Sequence, residues 1–381
     1  MKAERRAIVH IGHKKTGTTF IQNHFHASRA ALLAAGVIYP FEEANHSFGL
    51  SGIFRRDHGE QAPTPRDRYA SDPERARLEL DAELRAADWH TMLLSGEVLT
   101  GFSRVELAAL SDWLGGHVAH VQIVFVVRDP VDWAVSAAQQ HLKTRGDIDT
   151  VFNRPEAAHW ANIIKRYRAT FGRRAVTVLE YEALAAVRES FAARFALAVG
   201  LAADIATIVQ GDGVTVNESL SMEAALMLGR YNARVPERED GRRNPARSGT
   251  ESRAFAGLPG HTFDLPQAAR LQAHAQSRQD VAFLAREFGI TRYSYAASEV
   301  PPSRYTEEVS TEFLDALADR LVSLQADALA TRLLLDRERL RRKGDRVGAA
   351  TALTTAAIRF PTDERVMRAV AARDAARERQ G

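Results

Sequence analysis

The sequence predicts an α/β chain built on a doubly wound parallel sheet, and three observations carry that expectation. Short apolar runs of strand length alternate with amphipathic helical stretches along most of the 381 residues. One run, "VQIVFVV" at residues 121–127, is apolar without interruption, as a strand buried on both faces of a parallel sheet must be. The first run, residues 7–11, leads through a loop bounded by Gly12 and Gly17 into a helical pattern. That order aims a helix amino terminus at the carboxyl end of a buried strand, where open α/β sheets take their ligands.

In chain order, residues 18–35 read as one helix ending at Gly36, and "VIYP" as a second short strand. Residues 40–72 turn polar, with Arg55, Arg56, Pro63, Pro65, Arg66 and Arg68, and predict a long surface excursion. "SDPERARLELDAELRAA" opens with a capping residue and a first-turn proline, which starts a helix, and the strand "TMLLS" follows. Ser103 and Glu106 have the spacing of a capping box for the next helix. The strand at 121–127 is expected at the centre of the fold. A helix from about Val131, another over 156–171, the strand "AVTVLEY" and a helix over 183–199 continue the alternation. Residues 232–262 are polar and rich in glycine and arginine, and predict a mobile loop. From Thr306 the chain is helical and alanine-rich, and residues 344–373 resemble one degenerate tetratricopeptide helix pair. A single unit cannot bury its own faces, so it is expected to cap the main domain. The chain therefore divides into a main domain over 1–300 and a helical extension over 301–381.

A hydrophobic content of 45% is that of a globular protein. No apolar run reaches 18 residues, and the start "MKAERRAIVH" lacks the apolar core of a signal peptide, so the expected location is cytoplasmic with no membrane span. The absence of cysteine excludes disulfides, iron–sulfur ligation and thiol nucleophiles, and no His/Asp/Glu cluster has zinc spacing. A net charge of +3 without an aromatic-studded basic stripe points away from nucleic acid and toward small anions. Arginine supplies nearly all the positive charge. Two adjacent lysines, Lys14 and Lys15, in one glycine-bounded loop therefore suggest that a compact ammonium is wanted there.

That loop reads "GHKKTGTT". A phosphate-binding NTPase loop places lysine after its second glycine, with a hydroxyl beside it for magnesium. Here Thr18 and Thr19 occupy those positions, and the lysines lie inside the loop. Backbone N–H groups and the helix dipole converge on the loop, Thr16, Thr18 and Thr19 offer hydroxyls, and Lys15 offers charge without requiring a metal. No apolar strand ends in an aspartate that would hold magnesium; "VQIVFVV" ends in Arg128. Arg128 and Ser136, eight residues on in the next helix, have the arrangement to grip a second phosphate.

These two motifs resemble those of the sulfotransferase superfamily, whose donor is 3′-phosphoadenosine-5′-phosphosulfate. "HKKTGTT" is similar to its PKTGTT loop, with Lys14 in place of proline, and "VVRDPVDWAVS" to its strand, RDP and helical serine. The resemblance spans roughly residues 6–300 and is closer to bacterial and carbohydrate-modifying members. The RKGxxG pattern of cytosolic eukaryotic members is absent. It implies that Lys14, Lys15, Thr16, Gly17, Thr18 and Thr19 hold the 5′-phosphosulfate, that Arg128 and Ser136 hold the 3′-phosphate, and that Lys15 assists the bridging oxygen without a metal. Carbohydrate-acting members also use a glutamate just past a strand, and Glu97 after "TMLLS" stands in such a place; His13, His90 and His141 are weaker candidates for the base. The expected substrates are the small-molecule donor and a hydroxylated, glycan-like acceptor. Lys143, Arg145 and the "RRNPAR" loop would line the acceptor groove, or form a solvated charge run. Two other readings stay open: a P-loop kinase or nucleotide hydrolase, and a non-catalytic binding protein with a decayed site.

Overall fold

Five parallel strands form the sheet. In the computed structural model, which describes residues 4–55, 72–187, 190–210 and 219–378, β1 (Arg6–Ile11) is the central strand. It pairs with β3 (Thr91–Gly96) on one side and β4 (His120–Val127) on the other. With β2 (Val37–Ile38) and β5 (Val176–Glu180) at the edges, the order is β2-β3-β1-β4-β5. The 121–127 run is therefore next to the centre, because β1 pairs on both edges. Along β1 the side chains alternate between two cores: Ala7, Val9 and Ile11 enter one, Ile8 the other. Burial on both faces explains why the strands read as continuous apolar runs.

Helices cover both faces. Between β1 and β3 lie α1 (Thr18–Ala27), α2 (Arg29–Ala34), α3 (Ser47–Phe54) and α4 (Pro73–Ala86). α5 (Arg104–Gly115) joins β3 to β4, and α6 (Pro130–Thr144), α7 (Ile148–Asn153) and α8 (Trp160–Phe171) join β4 to β5. Then come α9 (Phe191–Ala198), α10 (Ala203–Ile208), α11 (Met222–Arg234), a small hairpin pairing Arg238–Glu239 with Arg242–Arg243, and α12 (Gln267–Phe288). The chain ends in α13 (Thr311–Arg342), α14 (Arg346–Arg359) and α15 (Glu364–Glu378). The expected capping box at Ser103 and Glu106 is formed, and Asp72 caps α4 by accepting from the Arg75 amide.

The structure departs from the sequence expectations where a distant contact decides. The 18–35 helix breaks at Ser28, whose hydroxyl donates to the Ile208 carbonyl at 3.1 Å. Within 40–72, α3 packs Leu50 and Phe54 into the core rather than lying on the surface; Arg56, Pro63, Pro65, Arg66 and Arg68 lie outside the described residues. The 156–171 helix begins at Trp160, because the Asp280 carboxylate accepts the Trp160 and Ala161 amides at 3.1 and 2.9 Å. The 183–199 helix is a single turn, Tyr181–Leu184, followed by α9. In 232–262 the chain forms the hairpin. Buried Arg247 ties it down through the Asn232 side chain at 2.6 Å and the Thr144 carbonyl at 2.8 Å. No helix among the described residues is long and apolar enough to cross a membrane.

Candidate functional site

β1 delivers the chain to the carboxyl edge of the sheet between β3 and β4. The connections from β1 and β4 leave in opposite directions there, which makes this the switch point of the sheet. The loop from Gly12 to Gly17 turns under tight constraints. A Cβ on Gly12 would sit 2.4 Å from Thr18 Cγ2 and 3.3 Å from Glu97 Cγ; Gly17 takes φ 81°, and a Cβ there would sit 2.4 Å from the Phe191 ring. Lys15 itself takes φ 63°, a left-handed conformation that costs a side-chain-bearing residue roughly 1–2 kcal/mol. Four contacts hold the loop: Trp133 Nε1 donates to the Lys14 carbonyl at 2.9 Å, Arg128 Nη1 lies 3.5 Å from the Lys15 carbonyl, and Thr16 and Thr18 donate to the His13 carbonyl at 2.6 and 3.0 Å. The amides of Lys15, Thr16, Gly17, Thr18 and Thr19 make no hydrogen bond within the described residues, and no side chain caps α1. Such a run of unpaired N–H groups at a helix start is a cradle for a tetrahedral anion.

Around the cradle stand the charged groups. Lys15 Nζ donates to Gln140 Oε1 at 2.8 Å. Burial pushes its pKa down to about 8, with Lys143 adding to the effect and Glu97 opposing it. Glu97 opens the 3₁₀ turn Glu97–Gly101 directly after β3 and packs its stem against Gly12. Burial raises its carboxyl above the ordinary carboxylate value, against the pull of Lys15 and then Lys14. Arg128 stacks over the Tyr181 ring at 4.8 Å. It shares with Ser136 a cleft of about 920 Å³ that also takes in Gln139, Arg270 and Arg304. On the opposite flank of α6, a groove of about 550 Å³ is lined by Lys14, Gln140, His141, Arg145, Arg154 and Glu156. Each space touches the loop through one residue: Arg128 lines the cleft and lies against the Lys15 carbonyl, and Gln140 lines the groove and accepts from Lys15 Nζ.

No protein-family model and no curated protein matches the chain. Among solved structures it is similar to a sulfotransferase from Alicyclobacillus acidocaldarius, at 19% sequence identity, with 52% of this chain and 83% of that chain covered and a TM-score of 0.35. A likeness this loose assigns no role to any residue.

Each residue singled out from the sequence has a definite place. Lys15, Gly17, Thr19, Glu97 and Arg128 gather at the cradle. Ser136 lies along the cleft, on the same helix as Gln140. Thr16 and Thr18 are buried and spend their hydroxyls bracing the loop, which leaves Thr19 as the exposed hydroxyl. Lys14 turns to Glu156 and lies 5.6 Å from the Trp133 ring, toward the groove rather than the cradle. His13 is buried among Phe125, Trp133 and Trp160, and burial pushes its pKa down to about 4, so it packs as a neutral ring. His90 precedes the amino end of β3 and packs against Gly36, across the sheet from the cradle. Of the three histidines, His141 alone lines the groove. Arg247 of the "RRNPAR" loop is a buried brace rather than a groove cation. The sequence reading missed Gln140, Trp133, Tyr181 and Glu156. Only Gln140, one helical turn beyond Ser136, carried a local signal; the others reach the site from separate elements.

Proposed function

We propose that this protein is a sulfotransferase that moves a sulfuryl group from 3′-phosphoadenosine-5′-phosphosulfate to a hydroxyl of a carbohydrate or glycan-like acceptor. The observation that carries the reading is the run of unpaired amides from Lys15 to Thr19, flanked by the Lys15 ammonium and the Glu97 carboxylate. In this reading the 5′-phosphosulfate lies on those amides, and Arg128 and Ser136 in the adjoining cleft hold the 3′-phosphate. The acceptor enters from the groove beside Lys14 and His141, where the charges of Lys14, Arg145 and Arg154 suit a polyhydroxylated or anionic sugar. Glu97 takes the proton of the acceptor hydroxyl as its oxygen bonds to sulfur. The bond between sulfur and the 5′-phosphate oxygen breaks, and its electron pair leaves on that oxygen beside Lys15, giving the sulfate ester and adenosine 3′,5′-bisphosphate. Lys15 must leave Gln140 to do this, a rotamer change within reach of its flexible stem. The division into a transferase domain over 1–300 and a helical extension over 301–381, and a cytoplasmic location, belong to the same proposal.

Titration calorimetry with adenosine 3′,5′-bisphosphate in the absence of magnesium tests the reading. Low-micromolar or tighter binding is expected, since one rigid ligand spans two anion subsites. Tighter binding of ATP that requires magnesium would favour a kinase or nucleotide hydrolase, and failure to bind either nucleotide would favour a decayed site.

A further inference from the structure

The longest helix carries an apolar seam whose leucines its own chain leaves largely exposed. In α13, Leu314, Leu317, Leu321, Leu324, Ala328 and Leu335 follow alternating three- and four-residue steps, with Thr331 completing the series. This is the a/d spacing of a coiled coil, sustained for about three heptads and roughly 33 Å. Leu314, Leu321, Leu324 and Leu335 are 53%, 58%, 48% and 65% exposed. Within the seam Leu317 also packs against the main core and Thr331 accepts from Arg365 Nη1 at 3.1 Å; the fully buried contacts of the helix lie beside it, with Phe313 in the main core and Ala330 against Ala356 and Val366.

The two ends of the seam differ in a complementary way. At its amino end the seam runs into a groove of about 490 Å³ among α7, α11 and α13, floored by Leu226, Met227, Leu314 and Leu317 and edged by Val309, itself 52% exposed. Asp147, Asp149 and Glu307 outnumber Arg230 along that groove. At the carboxyl end the helix is basic on balance, with Arg337, Arg339, Arg341 and Arg342 against Asp336 and Glu338, the latter paired with Arg337 and Arg341.

We propose that α13 pairs antiparallel with α13 of a second copy of this chain. In the register that matches a to d positions, Leu321 lies opposite Leu324 of the second copy, Leu314 opposite its Thr331, and Leu317 opposite its Ala328, so large side chains face small ones at the flanks. Leu335 of each copy then reaches the other's groove at Val309, and each basic helix end meets an acidic groove edge. A parallel pair would set two acidic grooves together at one end and two basic helix ends at the other, which opposes like charges.

Sedimentation velocity on the full chain tests the pairing and is expected to show a dimer at micromolar concentration. Leu321→Glu with Leu324→Glu is expected to sediment as a monomer with unchanged far-UV circular dichroism. The natural absence of cysteine makes a second measurement unambiguous. Under oxidation, a mixture of Leu314→Cys and Thr331→Cys chains is expected to form a covalent dimer that neither forms alone. A full-length chain that stays monomeric across the micromolar range overturns the proposal, and so does efficient crosslinking of Leu314→Cys to itself. The crosslinking test stays decisive even if the glutamate variant misfolds.

Discussion

At the residue scale, the cradle holds two ionisable groups that folding disfavours in their charged forms. Lys15 has its pKa lowered to about 8 by burial, and Glu97 has its carboxyl raised by burial. The native state therefore binds fewer protons than the unfolded chain between about 8 and the ordinary lysine value, so stability contributed by Lys15 rises with pH in that window. For Glu97 the sign reverses: its native pKa is raised, so its contribution is fully present below the ordinary glutamate value and is lost as pH rises through the native one. At neutral pH an ionised Glu97 thus costs stability. Glu97→Gln should raise the melting temperature while lowering turnover by roughly 10²-fold or more, with bisphosphate binding nearly unchanged. Near-normal turnover would remove Glu97 as the base and leave His141, the candidate histidine along the groove. Lys15→Ala should reduce kcat more than donor affinity, because the ammonium matters most as charge develops on the leaving oxygen. The alkaline limb of kcat/KM in the parent should fall near the Lys15 value of about 8 and disappear from the residual activity of that variant. Arg128→Ala and Ser136→Ala should weaken adenosine 3′,5′-bisphosphate much more than adenosine 5′-phosphate; equal losses would reject their assignment to the 3′-phosphate.

At the element scale, the features legible in the sequence were those written in neighbouring residues. The strand–loop–helix at residues 6–27, the proline start of α4 and the box opening α5 all rest on contacts a few residues apart. What escaped was set by residues far along the chain. The start of α8 depends on Asp280, the break at Ser28 on Ile208, and the ordered hairpin on buried Arg247. The site divides in the same way. Gly12, Lys15, Gly17 and Arg128 announce themselves by motif, whereas Trp133 and Tyr181 are ordinary core aromatics until the sheet brings them to the loop. The Asp280 cap gives a direct test. Asp280→Ala should lower stability by about 0.5–2 kcal/mol, the usual scale for a lost amino-terminal cap, as read in urea unfolding. No loss would mean that water replaces the carboxylate at that helix start.

At the scale of the whole molecule, the cradle exists only when the sheet does. Its loop follows β1, Glu97 follows β3 and Arg128 follows β4. A ligand that spans the loop and Arg128 binds the native state alone, so adenosine 3′,5′-bisphosphate at about 100 times its dissociation constant should stabilise the fold by about 2.7 kcal/mol. A thermal shift much smaller than this, at that saturation, would mean that the ligand also binds a partly opened chain. The central place of β1 also bears on how the protein is made. β1 leaves the ribosome before both strands it pairs with, since its register partners are Thr91 for Arg6 on one side and His120 on the other. During translation the strand must wait for both neighbours, an apolar segment with two unpaired edges, and this is when a nascent chain most needs shielding. Ribosome-stalled chains that expose residues only up to α5 should accordingly recruit chaperones and ignore the bisphosphate, and those that expose β4 and α6 should begin to capture it.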